Sequence, residues 1–310
     1  TTLDRFAAAH GGNAPVVVFP DTTGSLSNDT ECVNGPRGNA ADYLIKDVVP
    51  FIISKFRVSA DPSRWGLVGW SSGGTCAAMT AVMHPELFGA FVALDGQLGP
   101  NAGTRRQTIA RLFGGDSQAW AAFDPRTVIE KHGPYPEMAA WLGVSEKAAP
   151  EHWAAGATPP SSQELGEWDN YSEEHAANAR RLCLLLSGHN VECSVVGYGG
   201  AHDFAPAGAA FASALPWLAG RLGTPEVPRI PLPGAGLRPP SVRFCTPDPG
   251  GSLYRRTFAG NAGIAGNGGQ RIRPGRGCRY WAGPWSCARA PWCGTARRST
   301  AGIRPSPGRW

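Results

Sequence analysis

The chain has 310 residues, 42% of them hydrophobic, and a formal net charge of +5. That is enough apolar mass for a large buried core, and no apolar run reaches the ~20 residues a membrane-crossing helix needs, so the chain has no transmembrane helix. The charge is split: residues 229–310 hold 14 Arg, no Lys and the single acid Asp248, giving +13, whereas residues 1–228 carry −8 and have the composition of an ordinary enzyme surface.

Thr1 is not a Met and no signal sequence follows it, so the start reads as processed or cut. PVVVFPD (15–21) is a buried-strand run ending in turn residues. Residues 39–56 are amphipathic, with Leu44, Val48, Val49, Ile52 and Ile53 near helical spacing. RWGLVGW (64–70) reads as a strand, 72–84 as a helix of small and apolar residues, and FGAFVALD (88–95) as a strand. Residues 104–132 form helical segments broken at Gly114-Gly115-Asp116 and at Asp124-Pro125. EMAAWLGVS (137–145) is a strand, and a polar loop continues to about 168. A helix over 170–190 stopped by Gly188, a strand over 191–199 and a closing helix over 207–223 complete the pattern. Five strands alternating with helices predict an α/β fold, a mostly parallel sheet with helices on both faces.

After Pro225 this periodicity fails. Residues 226–310 are rich in Arg, Gly and Pro, with Cys245, Cys278, Cys287 and Cys293 among them. Two segments follow: a domain over 1–225 and a tail over 226–310. A basic nucleic-acid-binding arm and natural disorder are two readings of the tail. Arg without Lys, together with Gly, Pro, Ala, Trp and Cys, fits better an out-of-frame read of a G+C-rich gene beginning near 230–245. No nucleic-acid partner is expected.

Gly69-Trp70-Ser71-Ser72-Gly73 fits G-x-S-x-G. The pattern is weak in a chain with 41 Gly, but a strand precedes it and a helix follows, as a nucleophile elbow requires. Glycines flanking the serine spare the strained turn a clash of Cβ atoms with the crossing strand and helix. The helix N-terminus favours negative charge beside the hydroxyl, and the Ser72 N–H becomes one oxyanion donor. The rival reading is a plain Gly-Ser turn.

A serine needs a base. His202, in GYGGAHDFAP between the last strand and last helix, lies where a loop can carry an imidazole over the elbow. His84 ends the elbow helix, and His175 and His189 belong to the helix over 170–190. The order Ser…acid…His calls for a carboxylate between them. Glu146, directly after the strand at 137–145, is the first choice; Asp169 and Asp95 are alternatives, and Asp203 is the weakest.

These segments, with HPELF, FDPRTVIEKHGPY, LCLLLSGHNVECSVV and GGAHDF, resemble the putative esterase family of α/β-hydrolases, which includes esterase D, feruloyl-esterase-like enzymes and the mycobacterial mycolyltransferases. The likeness is greatest to exported actinobacterial proteins of that family and covers roughly 15–230. It implies an α/β-hydrolase fold, Ser71 as nucleophile, His202 as base, Glu146 as acid, and an extracellular or cell-envelope location. It also implies strands ahead of 15–21 whose connecting loop gives the second oxyanion N–H. The chain is therefore expected to be N-terminally truncated, with a raw sheet edge and impaired activity.

Cys183 and Cys193, on a helix and the next strand joined by a short turn, are placed for a disulfide. Cys76 reads as a small core residue and Cys32 as free. No spacing suggests a metal site, and no nucleotide-binding motif or other cofactor signature appears. Asp21, Thr22, Trp70 and Gln97 are expected to line a pocket for a small-molecule or lipid ester. Leu112, Phe113, Trp120 and Phe123 form either an apolar lid or, better, the core of the insertion at 104–135. The leading function is a serine carboxylic-ester hydrolase. The alternatives are acyl or mycolyl transfer to a sugar, and a non-catalytic binding protein on the same fold.

Overall fold

The computed structural model describes residues 1–25, 27–166, 168 and 174–236. The readings of Asp169 and of the tail from residue 237 onward fall outside these residues. The elements run α1 (Thr2–Ala9), β1 (Asn34–Gly35), β2 (Gly38–Asn39), α2 (Ala40–Asp42), a π-helical stretch (Tyr43–Val48) and α3 (Val49–Phe56). A 3₁₀ turn (Pro62–Arg64) then leads into β3 (Gly66–Trp70), α4 (Ser72–Met83) and β4 (Ala90–Leu94). α5 (Arg105–Phe113), α6 (Ser117–Ala121) and α7 (Pro125–His132) follow, then β5 (Ala139–Val144), β6 (Glu151–Trp153) and α8 (Ser162–Leu165). α9 (His175–Gly188), β7 (Glu192–Gly197) and α10 (Phe204–Arg221) close the order.

The main sheet has the order β3-β4-β5-β7-β6. Its first four strands are parallel and β6 runs antiparallel to β7. β4 and β5 are buried throughout, as apolar runs without alternation require of central parallel strands. Successive β4 residues feed different cores. Phe91 and Ala93 pack with Ala78, Ala81 and Leu186, while Ala90, Val92 and Leu94 pack with Ala214, Trp217 and Leu218. The elbow helix and α9 therefore lie over one face, and α10 over the other.

Four of the five expected strands form. PVVVFPD does not: residues 15–20 carry no strand pairing, and Val16 and Phe19 are 64% and 85% exposed. A strand needs a ladder neighbour as well as an apolar run. Among the described residues β3 pairs only with β4. The short β6 lies inside the stretch read as polar loop, and its pairing with β7 rather than its composition makes it a strand.

The insertion forms its own core: Leu112, Phe113, Trp120 and Phe123 are buried with Met79 and Val33. Its helices break where the sequence put the breaks, at Gly114 in the left-handed region and at Asp124, which caps α7 by accepting from Thr127 N–H. Cys183 and Cys193 are bonded, and so are Cys32 and Cys76. The second bond corrects the reading of Cys32 as free and Cys76 as plain core; a bridge spanning 44 residues has no local signature. Packing also runs past Pro225, where the domain was expected to end. Leu232 is buried and the Pro233 carbonyl accepts from Ser194 Oγ at 2.8 Å.

Candidate active site

β3 ends at Trp70 and α4 begins at Ser72, leaving Ser71 as the turn between them with φ 57 and ψ −125. That conformation is costly for a residue with a side chain and persists only when its surroundings enforce it. Here Ser71 N–H donates to the Leu94 carbonyl at 2.8 Å, tying the elbow to the neighbouring strand. A Cβ on Gly69 would run into the Gly73 carbonyl, and one on Gly74 would sit 2.8 Å from the Leu94 carbonyl. Gly73 itself has open space around its Cβ position, so the steric demand falls on Gly69 and Gly74, not on both glycines of the motif.

His202 Nε2 lies 3.0 Å from Ser71 Oγ. Its Nδ1 lies 3.2 Å from Asp95 Oδ2. With the tautomer that suits both contacts, Ser71 O–H donates to Nε2 and Nδ1–H donates to Asp95. Asp95 follows β4 directly and is fully buried. Ser145 N–H donates to its Oδ1 at 2.7 Å, and the Tyr198 hydroxyl donates to its Oδ2. Burial, reinforced by Asp95, pushes the Tyr198 phenol up, so it remains a donor throughout the working range.

The carboxylate against His202 is thus Asp95, not Glu146. The reason is the order of the sheet. β4 lies between β3 and β5, so the residue after Leu94 emerges beside the elbow, while the residue after Ser145 emerges one strand further away. Glu146 instead borders a cavity of about 490 Å³ with Glu174, His175 and Arg180. Both carboxylates satisfy the chain order, so order alone could not separate them.

The expected pocket residues divide. Trp70 packs its ring 4.7 Å from the His202 ring and 4.7 Å from Phe204. Gln97 donates its N–H to Thr75 Oγ1 at 2.9 Å and its side-chain carbonyl accepts from Asn101. Asp21 is spent on its own turn, where Oδ1 accepts from Gly24 and Thr23 N–H and from the Thr23 hydroxyl, bonds that hold its carboxyl below the usual carboxylate range. The Thr22 carbonyl accepts from Thr30 Oγ1. Among the described residues, none of these bonds joins Asp21 or Thr22 to Ser71 or His202. Tyr198 and His175 were not foreseen as parts of the site. Tyr198 has a faint signal, a phenol four residues ahead of the histidine at a strand end; His175 has none. No group of His, Cys, Asp and Glu among the described residues could hold a metal ion.

A profile of the family described as Putative esterase matches residues 2–218. The chain belongs to this family. Its fold is the α/β-hydrolase fold. An uncharacterized protein of Corynebacterium glutamicum is 42% identical over 130 residues, covering 42% of this chain and 30% of that protein. Feruloyl esterase B of Talaromyces stipitatus is 25% identical over 165 residues, covering 49% of this chain and 44% of that enzyme. The chain thus spans less than half the length of these curated relatives. Among solved structures, an S-formylglutathione hydrolase from Agrobacterium tumefaciens aligns at a TM-score of 0.49 and 18% identity, covering 72% of this chain and 77% of that one.

Proposed function

We propose that this member of the esterase family is a serine carboxylic-ester hydrolase acting through an acyl-enzyme on Ser71. The observation that carries the reading is the continuous contact from Ser71 Oγ to His202 Nε2 at 3.0 Å and from His202 Nδ1 to Asp95 at 3.2 Å, built on a strained elbow. In this mechanism Ser71 Oγ attacks the ester carbonyl and its proton passes to His202 Nε2. Asp95 holds the imidazole in the tautomer that can accept that proton and offsets the charge of the imidazolium. The Ser72 N–H, first in α4, donates to the carbonyl oxygen as it gains charge. The imidazolium then protonates the leaving alcohol, and a water activated by His202 releases the acid. Ser71, Ser72, His202 and Asp95 are the residues assigned these roles, with Trp70 as a wall of the site and Gln97 behind it.

The substrate class is a small-molecule or lipid ester. Export to the cell envelope or medium is proposed as well, supported by two disulfides, which last in oxidising compartments. No described helix is long and apolar enough to cross a membrane. The test is mass-spectrometric detection of a fluorophosphonate adduct on Ser71, with Ser71→Ala as control and p-nitrophenyl acetate hydrolysis alongside. An adduct together with Ser71-dependent turnover is expected; a folded protein giving neither sinks the proposal.

A further inference from the structure

His202 stands on a loop between β7 and α10, and its side chain is 38% exposed. Two glycines precede it closely, Gly199 and Gly200, both at positive φ. The contacts of Nδ1 to Asp95 and of Nε2 to Ser71 fix two points on the ring, but not its tilt about the line that joins them. Ring contacts supply the rest. Trp70 is tilted 31° to His202, whereas His175, the first residue of α9, lies parallel to it within 2° at a centroid distance of 5.0 Å. Its Nδ1 is buried with no hydrogen-bond partner among the described residues. His175 also borders both the cavity lined by Glu146 and Arg180 and a small internal cavity lined by Gln97 and Leu182.

Taking Ser71, His202 and Asp95 as the reacting groups proposed above, we infer that His175 is a positioning residue for His202. It fixes the imidazole plane in which one nitrogen faces Ser71 and the other faces Asp95.

Two substitutions test this role. His175→Phe keeps a flat ring in the same place; His175→Ala removes it. Hydrolysis of p-nitrophenyl acetate is followed for both variants, the wild type and Ser71→Ala. His175→Phe is expected within about twofold of wild type. His175→Ala is expected to lose roughly twofold to tenfold in kcat with KM little changed, the scale set by the loss of one ring stack. A His175→Ala kcat equal to wild type, or a His175→Phe loss as large as that of His175→Ala, overturns the positioning role. If the wild type shows no turnover dependent on Ser71, the hydrolase reading fails instead, which the serine control distinguishes.

Discussion

Asp95 and Glu146 emerge from neighbouring strands, yet only one reaches His202. Replacing Asp95 by Asn removes the acceptor that holds the imidazole tautomer. A loss in kcat on the order of 10³–10⁴ is expected, with the adduct on Ser71 forming correspondingly slowly. Glu146→Gln should stay within about threefold of wild type, since its carboxylate borders the cavity beside Arg180 instead. If the two variants behaved alike, the assignment of Asp95 would be lost. That Ser71 and His202 meet could be read from the sequence because each sits at an element boundary at the same end of the sheet. That Asp95 and not Glu146 reaches His202 could not, because strand order in space is not written in chain order. Glu31 carries a separate residue-scale expectation. Its carboxyl is buried, accepts from Asn101 N–H at 3.1 Å, and is pushed up to about 8 by burial and then by the nearby Asp29 charge. A folded value above the ordinary 4.5 means that ionisation costs the fold. Its contribution is fully present below 4.5 and is lost as the pH rises towards 8, by on the order of 5 kcal/mol in all. Urea melts across that interval should show Glu31→Gln, which keeps an oxygen for Asn101, becoming more stable than wild type as the pH rises. Equal stabilities at every pH would contradict it.

The elements around the elbow are held by more than the sheet. Cys76 lies in α4, and its bond to Cys32 pins the segment that carries Glu31 against the helix that starts at the nucleophile. Closing a 44-residue loop restricts the unfolded chain by about 4 kcal/mol, against nearly 3 for the ten residues between Cys183 and Cys193. Cys32→Ser with Cys76→Ser is therefore expected to lower the melting temperature more than the matching pair at 183 and 193. The reverse order, measured calorimetrically, would mean that loop length does not govern these bridges. The nearer bridge was legible from a helix, a turn and a strand in succession. The distant one was not, because nothing local marks two cysteines 44 residues apart. The same contrast explains the strands. β4 and β5 could be read because continuous apolar runs suit central parallel strands. PVVVFPD has the same composition but no strand beside it, and β6 has little composition but a neighbour in β7.

At the scale of the sheet-bearing domain, Val16 to Phe19 are exposed, Val68 is 41% exposed on β3, and among the described residues no strand pairs with the second edge of β3. Such an edge beside an apolar segment is a template for association. Sedimentation velocity should show mass rising with concentration, and Val17→Lys with Phe19→Lys should reduce it. A single species at every concentration in both proteins would remove this expectation. The residues of the proposed site also have a consequence in time. Ser71 and His202 meet across 131 positions of chain, and Asp95 reaches full burial only when β5 and Tyr198 have closed over it. A ribosome therefore makes Ser71 long before it makes His202. On the proposed roles the growing chain passes through synthesis chemically silent, and the Ser71 hydroxyl becomes reactive only in a molecule whose β7 and α10 have already docked.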